Sequence, residues 1–112
     1  MTKKELITGD IIVNRAGFLG VVIKEEATII FQTIGGMDLE ELDENLTVDS
    51  KENDFDIMEV YRGVTFLDVE IGEDMPIYQR DGNWSRPSRK ERIRKVKEMD
   101  KDNKKKLPIT MV

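Results

Sequence analysis

The chain of 112 residues contains neither cysteine nor histidine. Without these side chains it cannot form a disulfide, a thiol nucleophile, a zinc site of the Cys or His type, or an imidazole general base. Serine and threonine remain as nucleophiles, but no histidine or Ser-x-x-Lys motif supplies them with a base. We therefore expect no enzymatic activity, no metal and no other cofactor.

Apolar and aromatic residues are also scarce, at 38% and 6% of the chain. The longest uninterrupted apolar runs, such as Val21–Ile23, are far shorter than the roughly 20 residues that span a bilayer. Lys3 and Lys4 are not followed by the apolar run that a secretory signal has after its basic residues. We therefore expect a cytoplasmic protein with no membrane partner.

The net charge of −5 hides a strong asymmetry along the chain. Residues 1–85 contain 19 acidic and 7 basic side chains, a net charge of −12, whereas residues 86–112 contain 4 acidic and 11 basic side chains, a net charge of +7. The sequence thus predicts an acidic β domain over residues 1–84 and a basic helix and tail over residues 85–112.

Short runs of β-branched and aromatic residues fill the first third of the chain. DIIVNR, FLGVVIK and TIIFQT have the length of strands, and turn residues separate them. Alternate residues of a strand point to one face, and a small meander is expected to bury only one face. This pattern predicts three hairpin strands with a core of Ile11, Val13, Val21, Ile23, Ile29 and Phe31.

Alternation returns in FDIMEVYR, residues 55–62, which predicts a fourth strand. We expect TFLDVEI, residues 65–71, to continue as strand, and Asp81-Gly82 to form a type I′ turn. Beyond Trp84 the period becomes helical: Ser88 and Glu91 fit a capping box, and apolar residues then recur at helical spacing over residues 89–99. The fold predicted is mostly β, an SH3-like small barrel of about five strands with a basic C-terminal helix and tail.

Four phrases, GDIIVNRAGFLGVVI, IIF, GGMDLEELDENLT and DFDIMEVYR, follow one another between Gly9 and Arg62. In this order they resemble small proteins of unassigned function that phages and prophages of Gram-positive bacteria frequently encode. The resemblance does not extend to the basic C-terminal part and brings no catalytic residues. It implies a mobile-element protein in a bacterial host cell, where inhibitors of host defence and small regulators are common.

Residues 38–60 form an acidic stretch of ten acids and one lysine. A catalytic carboxylate pair needs partial burial, and a calcium loop needs a D-x-[DN]-x-[DN]-G spacing that is missing here. A dense carboxylate surface can instead imitate DNA phosphates and occupy a basic groove. The alternative is a loop kept soluble by its charge, with Leu39, Leu42 and Leu46 as a sparse apolar stripe.

The first functional hypothesis is therefore a non-enzymatic binding protein with a DNA-mimicking acidic face. Its partner would be a host macromolecule that it regulates or inhibits, such as a nucleic-acid-binding protein or a CRISPR-type defence nuclease. The candidate protein-binding residues are Asp38, Glu40, Glu41, Asp43, Glu44, Asp54 and Asp56.

The second hypothesis is a nucleic-acid-binding regulator that acts through the basic helix. Lysine and arginine on a helix commonly contact phosphates, and Tyr78 and Trp84 nearby can stack on a base. A further alternative is that the basic tail lies against the acidic body of the same chain or of a second copy. The candidate nucleic-acid-binding residues are Arg86, Arg89, Lys90, Arg92, Arg94, Lys95 and Lys97.

Overall fold

The computed structural model of the protein describes residues 1–32, 34–48 and 53–106, the last eight of these by their backbone alone. This part of the chain contains six strands and two α-helices. The strands are β1 Ile11–Asn14, β2 Leu19–Ile23, β3 Thr28–Phe31, β4 Gly35–Asp38, β5 Ile57–Tyr61 and β6 Tyr78–Gln79. The helices are α1 Phe66–Ile71 and α2 Arg89–Lys106, and 3₁₀ turns lie at Lys3–Glu5, Lys24–Glu26 and Leu39–Glu41.

The strands form one antiparallel sheet in the order β4-β3-β2-β1-β5-β6. Strands β1 to β4 are a meander, and the chain then returns so that β5 pairs with the other edge of β1. The predicted mostly β character is confirmed. The predicted closed barrel is not confirmed, because the sheet of the described residues is open and has β4 and β6 as its two edges. Strand β6 pairs with the edge of β5 that β4 would need for closure.

Strand β1 lies in the middle of the sheet, and all four of its residues are buried. Ile12 belongs to a large hydrophobic cluster on one face of the sheet. Ile11 and Val13 belong to a smaller cluster on the other face, which Val69 of α1 completes and against which Trp84 packs. The prediction of a single dry face was therefore wrong, since α1 and the segment after it cover the second face.

Four of the six predicted core residues are buried, namely Ile11, Val13, Ile29 and Phe31. Val21 and Ile23 are only half-buried. In their place Val22, which pairs with Ile29 across the sheet, is fully buried in the large cluster. The run of three β-branched residues in β2 has no alternation of its own, so the sequence did not indicate which of them point inward.

Two glycines allow close packing around β2. A Cβ on Gly20 would lie 2.8 Å from Cγ2 of Ile29 and 2.9 Å from Cδ1 of Phe31. Gly17 has a φ of 92° in the turn before β2, and a Cβ there would lie 2.9 Å from Cδ of Pro87 and 3.2 Å from Cδ of Arg92. The segment that leads into α2 therefore packs directly on the turn between β1 and β2.

Residues 66–71 form α1, not the predicted strand. Thr65 and Asp68 make a capping box, in which the Asp68 amide donates to Thr65 Oγ1 (3.2 Å) and the Thr65 amide donates to Asp68 Oδ2 (2.9 Å). Phe66 and Val69, three residues apart, both pack in the smaller cluster, and Gly72 ends the helix with a φ of 80°. The sequence signal was the Thr-x-x-Asp pair, and the alternation of apolar residues concealed it.

The Asp81-Gly82 pair forms a turn but no hairpin. The Trp84 amide donates to the Asp81 carbonyl (3.0 Å), and Gly82 lacks the positive φ of a type I′ turn. The chain leads instead into α2, where Ser88 Oγ accepts from the Glu91 amide (3.2 Å) as the capping box predicts. Helix α2 runs to Lys106, beyond its predicted end.

No helix in the described ranges is long and apolar enough to cross a membrane.

Candidate functional site: an acidic patch and a basic helix

The part of the acidic stretch that follows β4 is held down by three leucines. Leu39, Leu42 and Leu46 are all buried in the large hydrophobic cluster. The five acids around them stay exposed to solvent and are named here the acidic patch: Asp38, Glu40, Glu41, Asp43 and Glu44. The sparse leucine stripe is thus a set of anchors, and the segment is a packed surface element of the protein.

Asp43 fixes the backbone of this segment. Its carboxylate accepts hydrogen bonds from the amides of Asn45 (2.8 Å) and Thr47 (3.1 Å) and from the Thr47 hydroxyl (2.7 Å). These bonds, the hydroxyl bond first, hold the pKa of Asp43 below its usual value, because each of them favours the ionised form. The turn also contains Leu46 with a φ of 66°, an uncommon conformation for a leucine that its complete burial stabilises.

Two neighbouring segments bind the acidic patch to the rest of the fold. The amide of Lys3 donates to the Glu44 carbonyl (3.1 Å), and its Nζ donates to the Leu42 carbonyl (2.8 Å). The Leu39 amide donates to the Ala27 carbonyl (2.9 Å), which brings the Lys24–Glu26 turn alongside. That turn exposes two more acids, Glu25 and Glu26, which sequence reasoning missed because only the pairing of β3 with β4 brings them here.

The other two predicted protein-binding acids have partners inside the protein. Asp56 is buried, and its carboxylate accepts from the Val48 amide (2.8 Å) and pairs with Arg15 (3.4 Å). Asp54 forms an ion pair with Lys95 of α2 at 2.7 Å. Among the described residues no three acidic side chains are arranged so that they could share a metal ion. The surface of the acidic patch therefore consists of separate carboxylates.

The seven predicted nucleic-acid-binding residues fall into two groups. Arg92 pairs with Glu70 of α1 through both of its terminal nitrogens (2.7 and 3.0 Å), Lys95 pairs with Asp54, and Arg86 is largely buried. These three side chains attach the basic helix to the acidic body, as the internal alternative predicts. The other four are exposed: Arg89, Lys90, Arg94 and Lys97.

Arg86 lies in a buried polar network on the second face of the sheet. Its Nη1 donates to the Val69 carbonyl (2.7 Å), and its Nη2 donates to the hydroxyl of Tyr61 (3.2 Å) and contacts Oε1 of Glu59 (3.5 Å). The Tyr61 hydroxyl in turn donates to Glu59 Oε1 (3.0 Å). Burial, and then the negative charge of Glu59, raise the pKa of Tyr61. The network ties the start of the tail to β5 and α1.

A second charged contact secures the N-terminal part of the chain. Asp10 is completely buried, and its two carboxylate oxygens each lie 2.8 Å from a nitrogen of Arg62. The Ile7 amide also donates to Asp10 (3.0 Å), and Arg62 donates to the Glu5 carbonyl (3.0 Å). The pKa of Arg62 is raised, chiefly by the hydrogen bond to Asp10. The residues are 52 positions apart, so no local pattern could have paired them.

Comparison of the chain with protein-family models, curated protein sequences and solved structures finds no match. The resemblance to phage and prophage proteins therefore stays a prediction from the sequence. Any functional conclusion depends on the surfaces described above.

We expect Arg86→Met to destabilise the protein by about 2–4 kcal/mol, because it leaves the Glu59 carboxylate buried without its cation. Urea unfolding measures the change, and Arg89→Met is the matched control at an exposed position, with an expected change within about 0.5 kcal/mol. Equal stability of the two variants would show that Arg86 does not hold the tail in place.

We expect Asp43→Asn to destabilise the protein at neutral pH, because an amide cannot accept these bonds as an ionised carboxylate does. The folded-state pKa is lowered, so the stabilisation is fully present above the unfolded-state pKa of about 3.9 and is lost as the pH falls through the folded-state pKa. Urea unfolding at neutral and acidic pH should thus show a difference that shrinks towards acid. Glu44→Gln, an equal charge change at the next residue, should change the stability at neutral pH by no more than about 0.5 kcal/mol, because this side chain is exposed. A difference between Asp43→Asn and wild type that does not depend on pH would contradict the assignment.

Proposed function

We propose that the protein is a non-catalytic binding protein of the phage or prophage type that its sequence resembles. In this proposal the acidic patch imitates nucleic-acid phosphates and occupies the basic groove of a host protein, such as a CRISPR-type nuclease, and so inhibits it. We also propose that the sheet is a variant of the SH3-like small barrel. A four-stranded meander whose fifth strand returns to the first supports that scaffold, and β6 on the edge of β5 explains its open side.

The observation that carries the proposal is the leucine-anchored exposure of the acidic patch. Three side chains with at most 6% exposure hold the backbone, while five carboxylates remain in solvent around them. A surface ordered before binding loses little further conformational entropy on association. Dense negative charge also accelerates encounter with a lysine- and arginine-rich groove and competes there with phosphates.

The decisive variant neutralises the patch without disturbing its turn. Asp38→Asn, Glu40→Gln, Glu41→Gln and Glu44→Gln together remove four charges and keep Asp43, whose carboxylate fixes the backbone. The matched control removes four exposed charges elsewhere, with Glu73→Gln, Asp74→Asn, Glu91→Gln and Glu98→Gln. Both variants have the same net charge, so a difference between them reports the position of the charges.

The measurement is a pull-down from nuclease-treated bacterial lysate, read by mass spectrometry. We expect wild type and control to retain a nucleic-acid-binding protein that the patch variant does not retain and that added duplex DNA displaces. Retention of the same proteins by the patch variant would contradict the proposal, as would a captured protein that DNA does not displace.

The second candidate function is nucleic-acid binding through α2. Lys90, Arg94 and Lys97 recur at i, i+4 and i+7, so they share one face of the helix, and all three are exposed. Residues at this spacing can follow a phosphate backbone.

If α2 is the binding element, changing these three residues to Gln should reduce the affinity for duplex DNA and lower the slope of log K against log salt by about 3, since each phosphate contact contributes about 0.9. Fluorescence anisotropy over a salt series measures both quantities. An unchanged affinity and slope would exclude this function for α2.

A further inference from the structure

A cleft of about 390 Å³ lies where α1 and α2 meet the start of β2. Its apolar wall consists of Phe18, Leu19, Leu67, Ile93 and Val96. Phe18 and Leu19 belong to the buried clusters, whereas Leu67 and Ile93 are 69% and 48% exposed at the mouth. Small-molecule sites are concave, mainly apolar and about 300–1,000 Å³ in volume, with a few polar groups that fix the ligand.

The polar groups of the cleft are centred on Arg92. Its side chain is only 13% exposed, and Nη1 and Nη2 both bind the carboxylate of Glu70. Its Nε is shielded from solvent and has no hydrogen-bond acceptor in the described part of the chain. A guanidinium has five N–H donors, so Nε and the second hydrogen of Nη2 are left after the two bonds to Glu70. Because Nε is shielded from solvent, a carboxylate reaches this edge only when the Arg92 side chain shifts towards the cleft.

A buried donor without an acceptor lowers stability by about 1–3 kcal/mol, so native proteins rarely leave one unmatched. The described residues hold two other such donors, Asn14 Nδ2 and Arg15 Nε, but of the three only Arg92 lines this cleft. An acceptor in the cleft satisfies its N–H group once the Arg92 side chain has shifted to face it. The unpaired edge of Arg92 therefore points to a ligand with a carboxylate.

The charge of the cleft favours an anion. Arg89 and Arg92 are its cations and Glu70 is its one acid, a local net charge of +1. The pKa of Glu70 is held below its usual value, chiefly by the hydrogen bond to Arg92, so this acid is ionised at neutral pH and is already matched. Arg89 is exposed at the same cleft, which makes this a cationic site on a body of net charge −12.

We propose that the cleft between α1 and α2 binds a small carboxylate that bears an apolar chain. The carboxylate of the ligand binds between Arg89 and the unpaired edge of Arg92, and the apolar chain of the ligand covers Leu67 and Ile93. The site uses neither the acidic patch nor the face of α2 formed by Lys90, Arg94 and Lys97, so it goes beyond the function proposed above.

The probe is octanoate, added to protein with ¹³C-labelled methyl groups and followed by NMR. We expect saturable shifts of the methyl signals of Leu67, Ile93 and Val96, with Leu46, which does not line the cleft, as an internal reference. Octanol and octylammonium have the same chain without the anion. We expect both to bind at least about tenfold more weakly, since a hydrogen bond to a charged group is worth about 1.5–3 kcal/mol.

The matched variants are Arg89→Gln and Lys90→Gln, both at exposed positions of α2. The first removes the accessible cation of the cleft, and the second removes the same charge from the next residue, which does not line the cleft. We expect Arg89→Gln to weaken octanoate binding about tenfold and Lys90→Gln to leave it unchanged. The proposal is overturned if octanoate gives no saturable shift, if the three probes bind equally, or if Arg89→Gln binds as wild type does.

Discussion

The fold depends on one constraint, which is that β1 must be covered on both faces. Its neighbours β2 and β5 occupy both of its edges, and its side chains alternate between the large and the small hydrophobic cluster. The meander and the acidic stretch cover the first face. Within the described part of the chain the second face is covered by residues beyond Tyr61, namely Val64, Phe66, Val69 and Trp84, so α1 and the segment around Trp84 are required for the core.

Charge follows from this arrangement. The basic segment after Trp84 lies against the acidic body, and the two are joined by three ion pairs: Arg86 with Glu59, Arg92 with Glu70, and Lys95 with Asp54. The strong charge asymmetry of the sequence is therefore partly an internal feature of one molecule. The acidic patch and the cations Arg89, Lys90, Arg94 and Lys97 of α2 stay exposed at the surface.

The acidic patch and the cleft place their apolar and charged side chains in opposite ways. In the patch the apolar residues are inside and the charges are outside, with Asp43 ionised and bonded to its own turn. In the cleft the apolar residues Leu67 and Ile93 face solvent, while the charged pair of Glu70 and Arg92 lies at the wall. A surface of the first kind suits a large basic partner, and one of the second kind suits a small molecule with an apolar part.

Local patterns predicted the elements well where a single signal was present. The strand at residues 57–61, the capping of α2 by Ser88 and the exposure of the patch acids could all be read from the sequence. The helix α1 was mistaken for a strand because six residues give too few turns for a helical period to outweigh alternation. The prediction that Val21 and Ile23 are core residues was wrong, because only the pairing with β3 decides which of three consecutive β-branched residues points inward.

The sequence by itself determined the classes of chemistry available, the mostly β character, and the separation of an acidic body from a basic tail, because composition and local periodicity are properties of neighbouring residues. Only the tertiary structure decided which charges are free. In the sequence, Asp54 and Asp56 look like the patch acids, and Arg86 looks like Arg89. In the structure, however, Asp54, Asp56 and Arg86 each form an ion pair with a residue distant along the chain. Such pairs form when the sheet brings remote segments together and burial makes an unmatched charge unfavourable. A local sequence pattern indicates neither condition.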